Sequence, residues 1–170
     1  MNDDTPDDET LRFAARVFAL AREGDADGLE PLLAGGLPAD LANEKGDTLL
    51  MLASYHGHAA AVALLLAHGA DPDRANDRGQ TPLAGTAFKG ETEAARALLA
   101  GGAGVDAAGP DGRTPLMMAA MFDRVEMVEL LLAHGADRTR TTPDGIDALG
   151  AARTMGARRT PALLAPASPD

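Results

Sequence analysis

The sequence predicts an all-α chain, a solenoid of helix-turn-helix layers carrying short β-turn fingers. Two observations predict it. The first is a repeat. Gly112-Arg113-Thr114-Pro115-Leu116 runs on to Leu131-Leu132-Ala133-His134-Gly135-Ala136-Asp137. The same text stands 33 residues earlier as Gly79-Gln80-Thr81-Pro82-Leu83, leading to Leu98-Leu99 and Gly102-Ala103. It stands 33 earlier again as Gly46-Asp47-Thr48-Leu49-Leu50, leading to Leu65-Leu66-Ala67-His68-Gly69-Ala70-Asp71. A fixed period over most of a chain means that each unit is one copy of the same supersecondary element. The second observation is composition. Hydrophobic residues make up 45% of the 170 residues and aromatics only 3%. The core must be built from Ala, Leu, Val and Met, of which Ala, Leu and Met are among the best helix formers.

In chain order, residues 1–9 read as an acidic flexible leader with Asp3, Asp4, Asp7, Asp8 and Glu9. Thr5-Pro6 is placed to cap a first helix, with acidic residues in the turn where the helix dipole favours them. Residues 10–165 form one repeat domain. Its N-terminal capping repeat spans 10–42, with Phe13 and Phe18 expected in the core and Gly24 ending the first helix. Asp27 and Glu30 suggest a capping box for the second helix, with Pro31 near the end of its first turn. Full repeats follow at 43–75, 76–108 and 109–141. Thr48, Thr81 and Thr114 serve as N-caps, with Pro82 and Pro115 at the first helical position. The first helix of each unit is rich in small residues and the second carries the larger apolar ones. Gly57 and Gly90 end the first helix, with Asp123 at that place in the fourth unit. Gly69, Gly102 and Gly135 follow the second helix, where a left-handed conformation is needed. A C-terminal capping repeat spans 142–165, with Asp147 in the cap position and a short or late final helix around Pro161. Residues 166–170 read as a flexible tail.

These residues resemble the ankyrin repeat family. The 33-residue period, Gly-x-Thr-Pro-Leu, a Gly between helices and Leu-Leu-x-x-Gly-Ala-Asp fall in phase, with substitutions such as Leu49 and Gly104. The match covers residues 43–153 well and 11–42 weakly. The family usually has His after Thr-Pro-Leu, where this chain has Met51, Ala84 and Met117. In the family that His helps bind the repeats together through hydrogen bonds. Its loss bears on how rigidly the loops are held, not on the fold. By size and Ala/Gly/Asp/Arg richness the chain is similar to stand-alone bacterial ankyrin proteins. The resemblance implies protein binding through the finger tips and the exposed side of the first helices.

The aromatic residues sharpen this. Tyr55 and Phe88 are one period apart, Met121 is one period further, and Phe122 stands beside it. His56 and Lys89 share the phase of Phe122. In an ankyrin stack, that end of the first helix borders the concave groove. The expected protein-binding set is therefore Tyr55, His56, Phe88, Lys89, Met121 and Phe122, with Lys45, Arg78 and Arg113 on a polar rim. In the third unit Gly85 and Thr86 replace larger or better helix-forming neighbours, which predicts a weaker layer and a shallow pocket beside Phe88.

The net charge of -11 argues against nucleic acid as a ligand. No apolar run reaches the ~18 residues that would suggest a membrane span. With no Cys there is no thiolate metal site or disulfide. No cofactor is expected, and the cytoplasm is the expected location. A monomer is expected rather than a homodimer. The four His read as structural, and Gly101-Gly102-Ala103-Gly104 lacks the Lys and strand of a phosphate loop. The main expectation is a non-catalytic protein-protein interaction module, regulating or assembling an enzyme complex. One alternative is a small-molecule or metal-dependent enzyme using His56 and His58. Another is an acidic inhibitor that masks a basic DNA-binding protein.

Overall fold

In the computed structural model, residues 7–166 are described. Among these described residues ten helices pair into five layers: α1 (Asp8–Glu23) with α2 (Ala26–Ala34), α3 (Leu49–Tyr55) with α4 (Ala59–Ala67), α5 (Pro82–Lys89) with α6 (Thr92–Ala100), α7 (Pro115–Met121) with α8 (Val125–Ala133), and α9 (Ala148–Thr154) with α10 (Thr160–Leu164). The first helices pack in one row, α1 on α3 on α5 on α7 on α9. The second helices pack in a parallel row from α2 to α10. Leu65, Leu98, Leu131 and Leu164 hold one register position and are all buried between the rows.

From the second layer on, each first helix starts on the residue expected. The Oγ1 atoms of Thr48, Thr81 and Thr114 accept the N–H groups of Met51, Ala84 and Met117 at 3.1, 3.3 and 3.2 Å. Asp147 takes over in the last layer, accepting from Gly150 N–H at 2.7 Å. Gly69, Gly102 and Gly135 have φ of 86°, 95° and 83°, the left-handed conformation that an L side chain disfavours. Thr86 sits in the buried row otherwise held by Ala53, Ala119 and Ala152; its hydroxyl donates to Leu83 O at 2.8 Å.

The N-terminal cap departs from expectation in detail. The helix begins at Asp8, inside the stretch read as leader, and Asp7 caps it by accepting Thr10 N–H at 2.8 Å. Thr5, Pro6 and the rest of residues 1–6 lie outside the described residues, as do residues 167–170 of the tail. The second helix is capped by Asp25, which accepts Gly28 N–H at 2.9 Å, and not by Asp27 with Glu30. Asp25 stands at the end of the tight turn after Gly24, so its carboxylate reaches the free N–H groups first. Pro31 lies past the first turn, inside α2. Phe18 is buried, but Phe13 is 46% exposed. Among the described residues α1 packs on α2 and α3, and Phe13 is not on the face they bury.

The fingers are held without the usual His. Asn43 and Asn76 each fold their side chain back under the finger. Asn43 Oδ1 accepts Lys45 and Asp47 N–H groups at 2.9 and 3.0 Å, and Asn76 Oδ1 accepts those of Arg78 and Gln80 at 3.0 Å each. Asn76 Nδ2 also donates across the layers to Asp47 Oδ1 at 2.8 Å. Main chain joins the same fingers, Asp77 N–H to Lys45 O at 3.1 Å. On the far edge, Asp40, Asp73 and Asp106 accept the N–H groups of Asp71, Gly104 and Asp137 in the next layer. The donor there is backbone, which is why Gly104 can replace Asp without breaking the ladder.

Asp123 replaces a glycine and keeps its left-handed backbone, with φ 56°. Its side chain explains the exchange. Oδ1 accepts the N–H groups of Arg159 and Thr160, each at 2.9 Å, and Oδ2 meets Arg159 Nε at 3.2 Å. Thr160 Oγ1 donates to Ala120 O at 2.8 Å. This clamp starts α10 late, with Pro161 in its first turn, and still delivers Leu164 to its core position.

Candidate functional site

The groove lies between the fingers and the exposed side of the first helices. Two positions on each first helix form its floor. In the second unit they are Met51 and Leu52, in the fourth Met117 and Met118, but in the third only Ala84 and Gly85. A hollow of about 470 Å³ lies over these two small residues. Leu52 and Met118 flank it, Tyr55 and Phe88 lie at its helix end, and Arg78, Gln80, Asp111 and Arg113 line the finger side. A β-carbon on Gly85 would lie 3.5 Å from Tyr55 Cδ2, so the tyrosine ring borders the gap directly.

The rings run across three layers. Tyr55 and Phe88 are near-parallel, with centroids 6.4 Å apart and 12° between planes. Phe88 meets Phe122 edge-on at 4.6 Å and 81°. Lys89 Nζ sits 5.3 Å from the Tyr55 ring centre, a cation–π distance. Tyr55 remains 36% exposed while Phe88 and Phe122 are half-buried. Tyr55 and Phe88 both cover the small-residue core and line the hollow, whereas Phe122 and Lys89 do not line it.

Of the expected site residues, Tyr55, His56, Phe88, Arg78 and Arg113 line this hollow. Met121 lies apart. It lines a second hollow of about 330 Å³, with Ile146, Ala151 and Met155, that shares Asp111 and Arg113 with the first. The ring row passes from Phe88 to Phe122 because α7 ends at Met121, leaving Phe122 as its C-cap residue. Lys45 lines neither hollow; its main chain belongs to the finger ladder. The apolar lining residues outside the sequence-based set include Leu52, Met118, Ile146 and Met155. Met155 is one period after Phe122 and Ile146 one after Arg113, so carrying the register into the last repeat finds both. Met155 is 52% exposed and Ile146 39%.

His58 has a structural task. Its Nε2 lies 2.8 Å from Arg22 O, a carbonyl that can only accept, so this nitrogen carries the proton. The ring closes the end of α1 and fills the space over Gly24, where a β-carbon would fall 2.3 Å from the imidazole. His56 lies 6.4 Å away, centre to centre. Partial burial lowers the His56 pKa below its usual value, and the His58, Lys89 and Arg22 charges lower it further against Glu91. Among the described residues no group of three His, Asp or Glu is placed to hold a metal ion. No described helix is long and apolar enough to cross a membrane.

The register seen in the layers is matched by a family model. The model for ankyrin repeats in three copies matches residues 17–109, 50–142 and 86–165. An ankyrin repeat protein of Pseudomonas aeruginosa is 59% identical over 56 residues. That stretch is 33% of this chain and 33% of the relative, so the chain spans a third of that protein's length. The overlapping matches run through all five layers from α1 to α10, and the chain belongs to the ankyrin repeat family.

Proposed function

We propose that the chain is a non-catalytic protein-binding module that holds a partner in the groove between its fingers and first helices. Ankyrin repeats are generally protein-protein interaction modules, and the family is generally non-catalytic. The observation that carries the site is the hollow over Ala84 and Gly85, bordered by Leu52, Met118, Tyr55 and Phe88. A concave apolar gap beside exposed aromatic surface is the arrangement in which one partner side chain is fully desolvated and contributes most of the binding energy. The charged finger tips supply the rim. A bound partner is an enzyme it regulates or a component of a complex it assembles.

The test uses Gly85→Leu. The substitution restores the large residue that the neighbouring layers carry at this place and narrows the hollow beside Tyr55. Tagged wild type and variant, matched by circular dichroism and melting temperature, are compared in pull-downs from the source cell. A protein held by wild type and lost from the variant supports the groove. A protein held equally by both moves the docking face elsewhere on the solenoid.

A further inference from the structure

We infer that the groove takes an acidic peptide segment, with an apolar side chain in the hollow and a carboxylate on Arg78. This rests on the docking reading above and adds the chemistry of the partner. The hollow is apolar at its floor and charged only along its finger side. There the two signs are differently employed. The Asp47 oxygens are both engaged by amides within the ladder, Oδ1 by Asn76 Nδ2 at 2.8 Å and Oδ2 by Asn43 Nδ2 at 3.4 Å. Asp111 accepts Arg113 N–H at 3.1 Å and lies 3.8 Å from the Arg113 guanidinium. Arg78 is exposed and belongs to no ion pair among the described residues. Its guanidinium is thus the donor left for a ligand, and a guanidinium matches a carboxylate in a two-point contact. Arg113 stands between the two hollows, where its charge is offset by Asp111.

The setting makes this selective. The chain as a whole carries -11 and draws basic partners at long range. An unpaired arginine facing an apolar hollow in such a molecule is a local exception. It favours a carboxylate held a few ångströms from an apolar anchor over a free anion or a basic peptide.

The experiment is a selection of random linear peptides against the full chain, followed by fluorescence anisotropy on the enriched sequences. The expected consensus is a large apolar residue with Asp or Glu close to it. Arg78→Glu should weaken those peptides about three- to tenfold, as for an exposed charge contact reversed in sign. A peptide with Lys in place of the acid should recover binding to Arg78→Glu, a rescue that a merely structural role for Arg78 would not give. Gly85→Leu should abolish binding. A consensus rich in Lys or Arg, an acidic consensus indifferent to Arg78→Glu, or no enrichment at all overturns the inference. Peptides lost with Gly85→Leu but without acidic preference sink this inference alone. Peptides unaffected by Gly85→Leu sink the groove reading itself.

Discussion

The Tyr55 ring lies against Gly85, with Cδ2 at 3.5 Å from where a β-carbon would stand. That is ordinary van der Waals contact, and Gly85 lies within α5 at a backbone conformation any residue can adopt. Gly85→Ala should therefore stabilise the fold by up to ~1 kcal/mol, the helix-interior difference between the two residues. Denaturant melts of wild type and variant measure it. No gain in stability would mean that the methyl group is not accommodated beside the ring.

Asn76 is the residue on which the third finger depends. It is buried, accepts two N–H groups of its own finger and donates to Asp47 in the layer before. Asn76→Ala should cost about 1–3 kcal/mol, since it leaves hydrogen-bonding groups without partners. Amide exchange should quicken at Arg78 and Gln80, with the α8 amides unchanged. Uniform quickening across all layers would contradict a local role.

Thr160 is fully buried, and its hydroxyl reaches Ala120 O. Thr160→Val keeps the shape and removes the donor. It should destabilise by about 0.5–1.5 kcal/mol through the lost hydrogen bond, since Ala120 O still accepts Asp123 N–H. Exchange should rise first in α10, the short helix that this clamp starts. A variant as stable as wild type would show that the clamp adds nothing.

Acid should loosen the same end. The Thr160 backbone N–H, with the Arg159 backbone and guanidinium behind it, holds the Asp123 carboxyl well below the usual carboxylate range, against some desolvation. Hydrogen bonds from Thr10 and Thr139 lower Asp7 and Asp137 in the same way. An unfolded Asp titrates near ~3.9. As pH falls past that value the unfolded chain takes up protons first, so the stability these groups contribute is fully present above it. It is lost as pH drops towards their folded values. Melting temperature should be flat in this contribution from about pH 5 upwards and fall below about pH 4. Asp123→Asn should flatten the acid limb. An acid limb identical in the two proteins would remove Asp123 from the account.

Much of this fold is legible because its period repeats. The Thr caps, the Gly turns and the buried Leu65, Leu98, Leu131 and Leu164 follow from spacing alone. What the spacing does not carry is choice among neighbours. Asp7, Asp25 and Asp27 all have capping side chains, and only the turn geometry selects Asp7 and Asp25. Phe13 fits a helical apolar pattern yet is exposed, because among the described residues no layer covers that side of α1. Asp123 reads as a lost glycine until its partner, 37 residues on in Thr160, is seen. In the groove, the gap over Gly85 is visible as a small residue between Leu52 and Met118. The handover of the ring row from Phe88 to Phe122 depends on where α7 ends.

The most direct measurement is amide chemical-shift mapping of the labelled chain with its captured partner. The groove account predicts the largest changes at Leu52, Tyr55, Gly85, Phe88 and Met118, with smaller ones at Arg78 and Arg113. Changes confined to the row of second helices, from α2 to α10, with the groove silent, would contradict it.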